Sequence, residues 1–230
     1  MSDITSVTDL FSTEAYAGTY RGLDVFPGFH NGMDDIPEGL ARNGQLVETV
    51  TGLRKFVDRS TTPFPTRSIH WYATTRVNAL AMRSFIAARS GRLVPFWVPT
   101  FRWDLDFLVY YPLDPTNKIV IAGCKYQDLL FPNPARRHLA VFPRALSSMQ
   151  FTKVTAAATY TSTGTGTAGT TTTEVLTLDA PVTDCSNKIT RICFLTLCRL
   201  ANDMNDITWH GLNAAEVTLP LVELPLEVPA

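Results

Sequence analysis

Apolar and polar residues alternate along many short segments of this chain, and this pattern predicts a protein built mainly of β-strands. Within residues 66–73, Ile69, Trp71 and Ala73 share one face, and the residues between them are polar or amphipathic. Such a period of two is typical of a half-buried strand. Further strand-like segments are 46–58, 105–111, 118–122, 139–142, 151–160, 174–178, 188–200 and 216–224.

One segment, from about Thr75 to Ser90, has the three- and four-residue spacing of an amphipathic helix. The hydroxyl of Thr74 or Thr75 can cap its first free amide groups, and Gly91 suits the left-handed position just past its end. The pattern predicts that the helix packs through Val77, Leu80, Ala81, Ser84, Phe85 and Ala88.

Proline and threonine mark the irregular parts of the chain. Pro95 and Pro99 interrupt the aromatic segment 92–103, which indicates an edge or irregular strand. The Thr- and Gly-rich stretch 161–173 has β propensity but little to bury, so we expect a mobile hairpin tip. Prolines in 219–226 favour an edge strand or a contact with a neighbouring subunit.

These elements predict a mainly β (α+β) fold, with a β-sandwich or split-barrel-like core, one packed α-helix and a small inserted β module. The expected domains follow the chain in order. They are an irregular N-terminal arm (1–44), a core of sheet and helix (45–104), the small β module (105–150), and C-terminal strands with the Thr/Gly-rich hairpin loop that complete the core (151–230).

Charge narrows the class of protein. Charged residues make up 18% of the chain, below the usual value of about 25%, which favours a protein that assembles with others. The net charge of −1 produces no positive electrostatic field that would attract nucleic acid, so no nucleic-acid partner is expected. No apolar run of about 18 residues occurs and the first ten residues lack signal-peptide features, so we expect no membrane span and synthesis in a cytoplasm.

Motifs of known catalytic or cofactor sites are missing from the sequence. There is no phosphate-binding loop, dinucleotide fingerprint, nucleophile elbow or HExxH zinc motif. The four histidines lack metal-ligand spacing, and the four cysteines are expected to be buried free thiols. The sequence therefore predicts no cofactor, no metal and no enzyme activity.

Two alternatives stay open around the aromatic segment. Asp104 and Asp106 lie beside Trp97 and Trp103, a combination used by sugar-binding and glycoside-hydrolysing sites. The segment from Trp97 to Asp106, or the Thr-rich loop, would then bind a host glycan, or the two aspartates would serve a hydrolase. The acidic and amide residues of 202–206 are expected to form a solvated turn.

Three motifs, in this order along the chain, resemble tail proteins of long-tailed bacteriophages. The first is a Trp71 strand and a helix followed by RSGRLVPFWVPTF (89–101). The second is LFPNPARRHLA (130–140), and the third combines LCRLAND (197–203), a tryptophan and LPLVELP (219–225). The N-terminal forty residues and the Thr-rich stretch have no counterpart in this resemblance.

The resemblance implies a distal tail protein of the tail tip or baseplate. Such a subunit forms a ring, commonly of six copies, that joins the tail tube to the hub, fibre or receptor-binding apparatus. The expected partners are copies of itself and those tail proteins, and the expected location is the virion tail after synthesis in the bacterial cytoplasm. The expected contact residues are Phe96, Trp97, Phe101, Trp103, Arg136, Arg137, Leu219, Leu221 and Val222.

Overall fold

The computed structural model of the chain describes residues 18–27, 38–41, 44–48, 54–58, 64–110, 117–143, 149–162, 171–182, 189–225 and 227–229. Within these residues the protein is mostly β with one α-helix, which confirms the predicted fold class. The helix α1 spans Arg76–Ala88. The strands are β1 (Gly18–Tyr20), β2 (Leu23–Val25), β3 (Glu38–Ala41), β4 (Gly44–Glu48), β5 (Arg54–Asp58), β6 (Phe64–Ala73), β7 (Phe96–Pro99), β8 (Phe107–Tyr110), β9 (Lys118–Ala122), β10 (His138–Pro143), β11 (Gln150–Ser162), β12 (Thr171–Leu178), β13 (Ile189–Leu200), β14 (Ile207–His210) and β15 (Ala214–Glu223).

The chain divides into two compact units, and each is built from segments that are distant in sequence. The first contains Met1–Pro27, Phe96–Leu197 and Val228–Ala230, and the second contains Gly28–Pro95 and Cys198–Glu227. The consecutive domains expected from the sequence have different boundaries. The reason is long-range strand pairing, because β9 pairs with β12 rather than closing a separate module within 105–150. The pairing of β15 with β6 agrees with the expectation that the C-terminal strands complete the core.

The first unit is a row of hydrogen-bonded strands in the order β1-β2-β7-β13-β10-β11-β12-β9-β8. Leu105, just before β8, forms an antiparallel bridge with Ile192 of β13. The part of the row that runs from β13 to β8 is therefore linked at both ends to β13. This is a split-barrel-like arrangement, and closure of this kind reduces the number of free strand edges.

The core of the first unit lies inside this closed row. Its buried side chains come from β9, β10, β11, β12 and β13 and from segments next to these strands, and the partly buried Phe107 of β8 packs against them. They are Leu105, Ile119, Ile121, Tyr126, Leu139, Val141, Val154, Leu176, Leu178, Val182, Ile192 and Phe194.

The second unit contains an antiparallel sheet centred on β15. One edge of β15 pairs with β6, and its other edge pairs with β14 and with the last three residues of β13. Ile69, Trp71 and Ala73 are buried on the face predicted from their alternation. The segment 46–58, expected as one strand, contains parts of β4 and β5, which pair with each other.

Helix α1 packs on β6 and β15. Its predicted N-cap is confirmed, because the Asn78 amide donates to the Thr75 hydroxyl oxygen at 3.2 Å. The predicted packing face is wrong in part: Val77 and Leu80 are exposed, whereas Ala79 and Met82 are completely buried. The packing face is therefore centred on Ala79 and Met82, while Phe85 of the predicted stripe is partly buried and contacts Trp71.

The N-terminal part contributes an edge hairpin, β1–β2, that joins the first unit through a parallel contact between Val25 and Trp97. The Thr-rich stretch links β11 to β12, which pair as far as Ser162 and Thr171. Residues 163–170 of that stretch lie outside the described residues. Cys193 and Cys198 are buried free thiols as expected, Cys124 is an exposed one, and Cys185 lies outside the described part.

Candidate interaction surface

A short loop after β7 carries the candidate surface of the first unit. We call residues Thr100–Leu105 the Trp103 loop. The Thr100 amide donates to the Phe194 carbonyl at 2.9 Å, and the Leu105 amide donates to the Ile192 carbonyl at 3.3 Å. Both ends of the loop are therefore bonded to β13, at carbonyls two residues apart, and Arg102 and Trp103 between them are exposed.

The carboxylate of Asp104 fixes the inside of this loop. It accepts the Phe194 amide at 2.8 Å and the Thr100 hydroxyl. Phe101 is buried and has a φ of 57°, a left-handed conformation that costs a non-glycine residue about 1–2 kcal/mol. These bonds hold the strained backbone in one shape, and strain of this kind is concentrated at functional sites.

Trp103 is the residue that the loop presents to solvent. Its side chain is 69% exposed. The Arg191 guanidinium lies 5.7 Å from the centre of its ring and donates to the Phe101 carbonyl at 2.9 Å. An exposed tryptophan beside an arginine on a rigid loop has the composition of a protein-interface hot spot.

Asp104 and Asp106, the pair considered for sugar hydrolysis, have different environments. Asp106 is exposed, and its backbone carbonyl accepts the Ala122 amide at 2.9 Å. Leu105 between them points into the core. The Asp104 carboxylate is bonded within its own unit, whereas Asp106 is exposed.

Most of the aromatic and aliphatic contact residues expected from the sequence are core residues. Phe96, Trp97, Leu219 and Leu221 have exposures of 1% or less. Together with Phe101 they are covered by their own chain and offer no surface to a partner. The prediction was wrong because the other elements of the same chain can bury a dense apolar strand as well as a partner can. Here the chain's own elements bury these residues.

The remaining three expected contact residues are partly covered. The guanidinium of Arg136 lies 5.5 Å from the Phe194 ring, and that of Arg137 lies 4.3 Å from the Phe131 ring. Arg137 also donates to the Phe131 carbonyl at 2.7 Å. Val222 is half-buried on β15. Of the nine expected residues, Trp103 is the one with a large exposed apolar side chain.

A buried histidine of the first unit was not singled out by the sequence. His138 shares a hydrogen bond of 3.0 Å with the Tyr20 hydroxyl, and its ring lies against the Trp97 ring at an angle of 36°, with ring centres 4.8 Å apart. Burial lowers the pKa of His138 to about 4, and Arg21 and Lys153 add to this effect. The Tyr20 hydroxyl oxygen accepts a hydrogen bond from Arg21. The hydroxyl can therefore donate its own proton to the neutral imidazole of His138. The cluster fastens the β1–β2 hairpin to the barrel.

In the second unit, two histidines that the sequence treated separately meet at one carboxylate. The Nε2 atoms of His70 and His210 lie 3.4 Å and 3.1 Å from the two oxygens of Glu216. The three residues come from β6, β14 and β15. Sequence spacing gives no signal for this cluster, because only the strand pairing brings it together.

Within the described ranges no group of three or more acidic, histidine or cysteine side chains is arranged to hold a metal ion. No helix in the same ranges is long and apolar enough to cross a membrane. The chain matches no family model and no curated protein. The resemblance to phage tail proteins therefore rests on the order of its motifs.

Proposed function

We propose that this chain is a structural subunit of a bacteriophage tail tip. Copies of it form a ring that joins the tail tube to the baseplate or fibre apparatus, and the subunit carries out no catalysis. The observation that carries the assembly part of this proposal is Trp103, an exposed tryptophan on a loop held by β13.

The loop is suited to assembly because its shape exists before any partner binds. Thr100 and Asp104 already make their bonds to Phe194 within the unit. Little conformational entropy is then lost on association, and this preorganisation favours affinity. Burying an exposed large apolar side chain contributes about 1.5–3 kcal/mol.

The low charge and the motif order support the phage part of the proposal. A surface with few charges is easier to bury against a neighbour. The number of copies, about six, follows from the resemblance alone, and a closed cyclic ring is consistent with the symmetry that soluble oligomers usually have. The tail tube and the hub or fibre proteins are the proposed neighbours in the virion tail.

A second function is favoured by the same tryptophan. Trp103 and Asp106 are both exposed and lie three residues apart in the sequence, and an aromatic ring with a carboxylate can stack on a sugar ring and accept bonds from its hydroxyl groups. The second candidate is therefore a host-glycan-binding module of the tail.

Mass photometry over a concentration series, followed by negative-stain imaging of large species, tests the proposal. We expect rings of about six copies, either alone or after addition of the tail-tube protein. A chain that stays monomeric alone and in that mixture would contradict it. Binding on a glycan array by such a monomer would favour the second candidate.

A further inference from the structure

A polar groove lies on the sheet of the second unit. Its volume is about 390 Å³, at the lower end of the ~300–1,000 Å³ of small-molecule sites. Strands β6, β14 and β15 and the segment before β14 contribute its lining. Its polar lining residues include Ser68, Asn202, Asp206, Thr208, Glu216 and Thr218.

The hydrogen-bonding groups of the groove suit a ligand rich in hydroxyl groups. The hydroxyls of Ser68, Thr208 and Thr218 each donate one hydrogen bond and accept others. The carboxylates of Asp206 and Glu216 only accept. A ligand that both donates and accepts at many points matches this mixture, and sugar hydroxyls do both.

The charges in the groove disfavour an anion. Two carboxylates line it, and among the described lining residues there is no lysine or arginine. Glu216 is also held in position, because His70 and His210 contact its two oxygens. A fixed acceptor loses less entropy when it bonds a ligand than a free side chain does.

Apolar atoms complete the groove. Met204 is 81% exposed and, like Pro220, presents C–H groups to the cavity. Tyr72 pairs with Glu216 in the strand register and is 43% exposed on the same face of the sheet. The C–H face of a pyranose ring can pack on such groups while its hydroxyls bond the polar ones.

We infer that this groove binds a neutral oligosaccharide through Asp206, Glu216 and Thr218. It contains no residue of the Trp103 loop, and the inference does not depend on assembly into a tail tip. Glycan binding at this groove would persist in a variant that no longer assembles.

Amide chemical-shift titration of the full chain tests the groove, with maltotriose, cellotriose and triacetylchitotriose as probes. We expect saturable shifts from at least one of them, confined to the groove, with a Kd of about 1 mM. Thr218→Val removes one hydroxyl from an exposed strand position and keeps the β-branched shape, so the Kd should rise about 3–10-fold. Thr218→Tyr fills the groove and should abolish the shifts.

Thr172→Val is the matched control, because Thr172 is an exposed strand threonine of the first unit. Its titration should equal that of the unchanged chain. Absence of saturable shifts up to about 10 mM with all three probes, ten times the expected Kd, overturns the inference. Shifts that persist in Thr218→Tyr overturn it as well.

Discussion

At the scale of single residues, several buried polar side chains are bonded to partners in their own unit. The Arg67 guanidinium bonds the Glu223 carboxylate at 3.1 Å, with both side chains nearly inaccessible to water. Glu174 and His138 are also buried, and each has an exposed fraction of about 1%. Removing one partner of such a group leaves a buried polar atom unsatisfied, which costs more than the bond itself contributes.

The buried His138 should make stability depend on pH. An unfolded imidazole, with a pKa of about 6.5, binds a proton at pH 5 that the folded one, with a pKa of about 4, does not bind. The free energy of unfolding should therefore fall as the pH is lowered from about 7 to 4, by about 2 kcal/mol at pH 5. Urea unfolding at pH 7.5 and pH 5 measures this loss.

His138→Gln is the control for that experiment, because glutamine has no charge at either pH. The variant should show a smaller loss of stability between the two pH values, whatever its stability at pH 7.5. An equal pH dependence in both proteins would show that His138 is not the responsible group.

Glu174 is the second residue whose replacement should be costly. Its carboxylate accepts backbone amides of Cys124, Tyr126 and Gln127 at 3.0, 2.9 and 2.8 Å. Burial raises the pKa of Glu174, but these bonds outweigh it and hold the pKa below its usual value. Glu174→Gln replaces an accepting oxygen with a donor and should cost about 2–4 kcal/mol of unfolding free energy.

Denaturant unfolding at neutral pH measures that cost, and Glu227→Gln is the comparison. Glu227 pairs with Arg199 at 2.7 Å, but its side chain is half exposed. An exposed pair of this kind contributes less than about 1 kcal/mol. Similar losses in the two variants would contradict the role of Glu174 in holding the backbone of residues 124–127.

At the scale of elements, the turn after α1 is defined by a glycine and an aspartate. Gly91 has a φ of 65°, and a Cβ atom added to it would lie 2.6 Å from an oxygen of Asp203. The Asp203 carboxylate accepts both the amide and the guanidinium of Arg92 at 3.1 Å. Backbone conformation and close packing therefore both require glycine here.

Gly91→Ala should destabilise the second unit by more than the ~1–2 kcal/mol of a left-handed alanine. Asp203→Ala removes the clashing oxygen and the bonds to Arg92. In the double variant, the cost of Gly91→Ala should fall to the conformational part, as a double-mutant cycle would report. Additive costs would show that the contact with Asp203 plays no part.

At the scale of the whole molecule, assembly should depend on Trp103. Trp103→Ser removes an exposed side chain, so the subunit should fold normally. Its rings should dissociate at a concentration at least about 10-fold higher, which corresponds to a loss of about 1.4 kcal/mol per contact. Mass photometry of the variant over a dilution series measures the change.

Tyr160→Ser provides the matched control, because Tyr160 is an aromatic residue of the first unit with a 60% exposed side chain. Its rings should dissociate like those of the unchanged protein. Equal behaviour of the two variants would remove Trp103 from the proposed interface.

The sequence by itself determined the local features of this protein. The alternation at Ile69, Trp71 and Ala73 gave the strand and its buried face, and Thr75 marked the start of the helix. Gly91 is in the left-handed turn after the helix, but Ser90 precedes it there with a φ of 49°. The period of a strand and the chemistry of a cap depend only on neighbouring residues. The mainly β class with one helix followed from those features.

Only the tertiary structure decided which apolar residues are covered and which polar residues meet. Trp97 and Trp103 belong to the same aromatic segment, yet one is buried and the other is exposed, because the bonds of the loop to β13 turn Trp103 outwards. His70, His210 and Glu216 meet only because β6, β15 and β14 pair side by side. Such long-range pairings depend on the packing of the folded unit, and local periodicity carries no information about them.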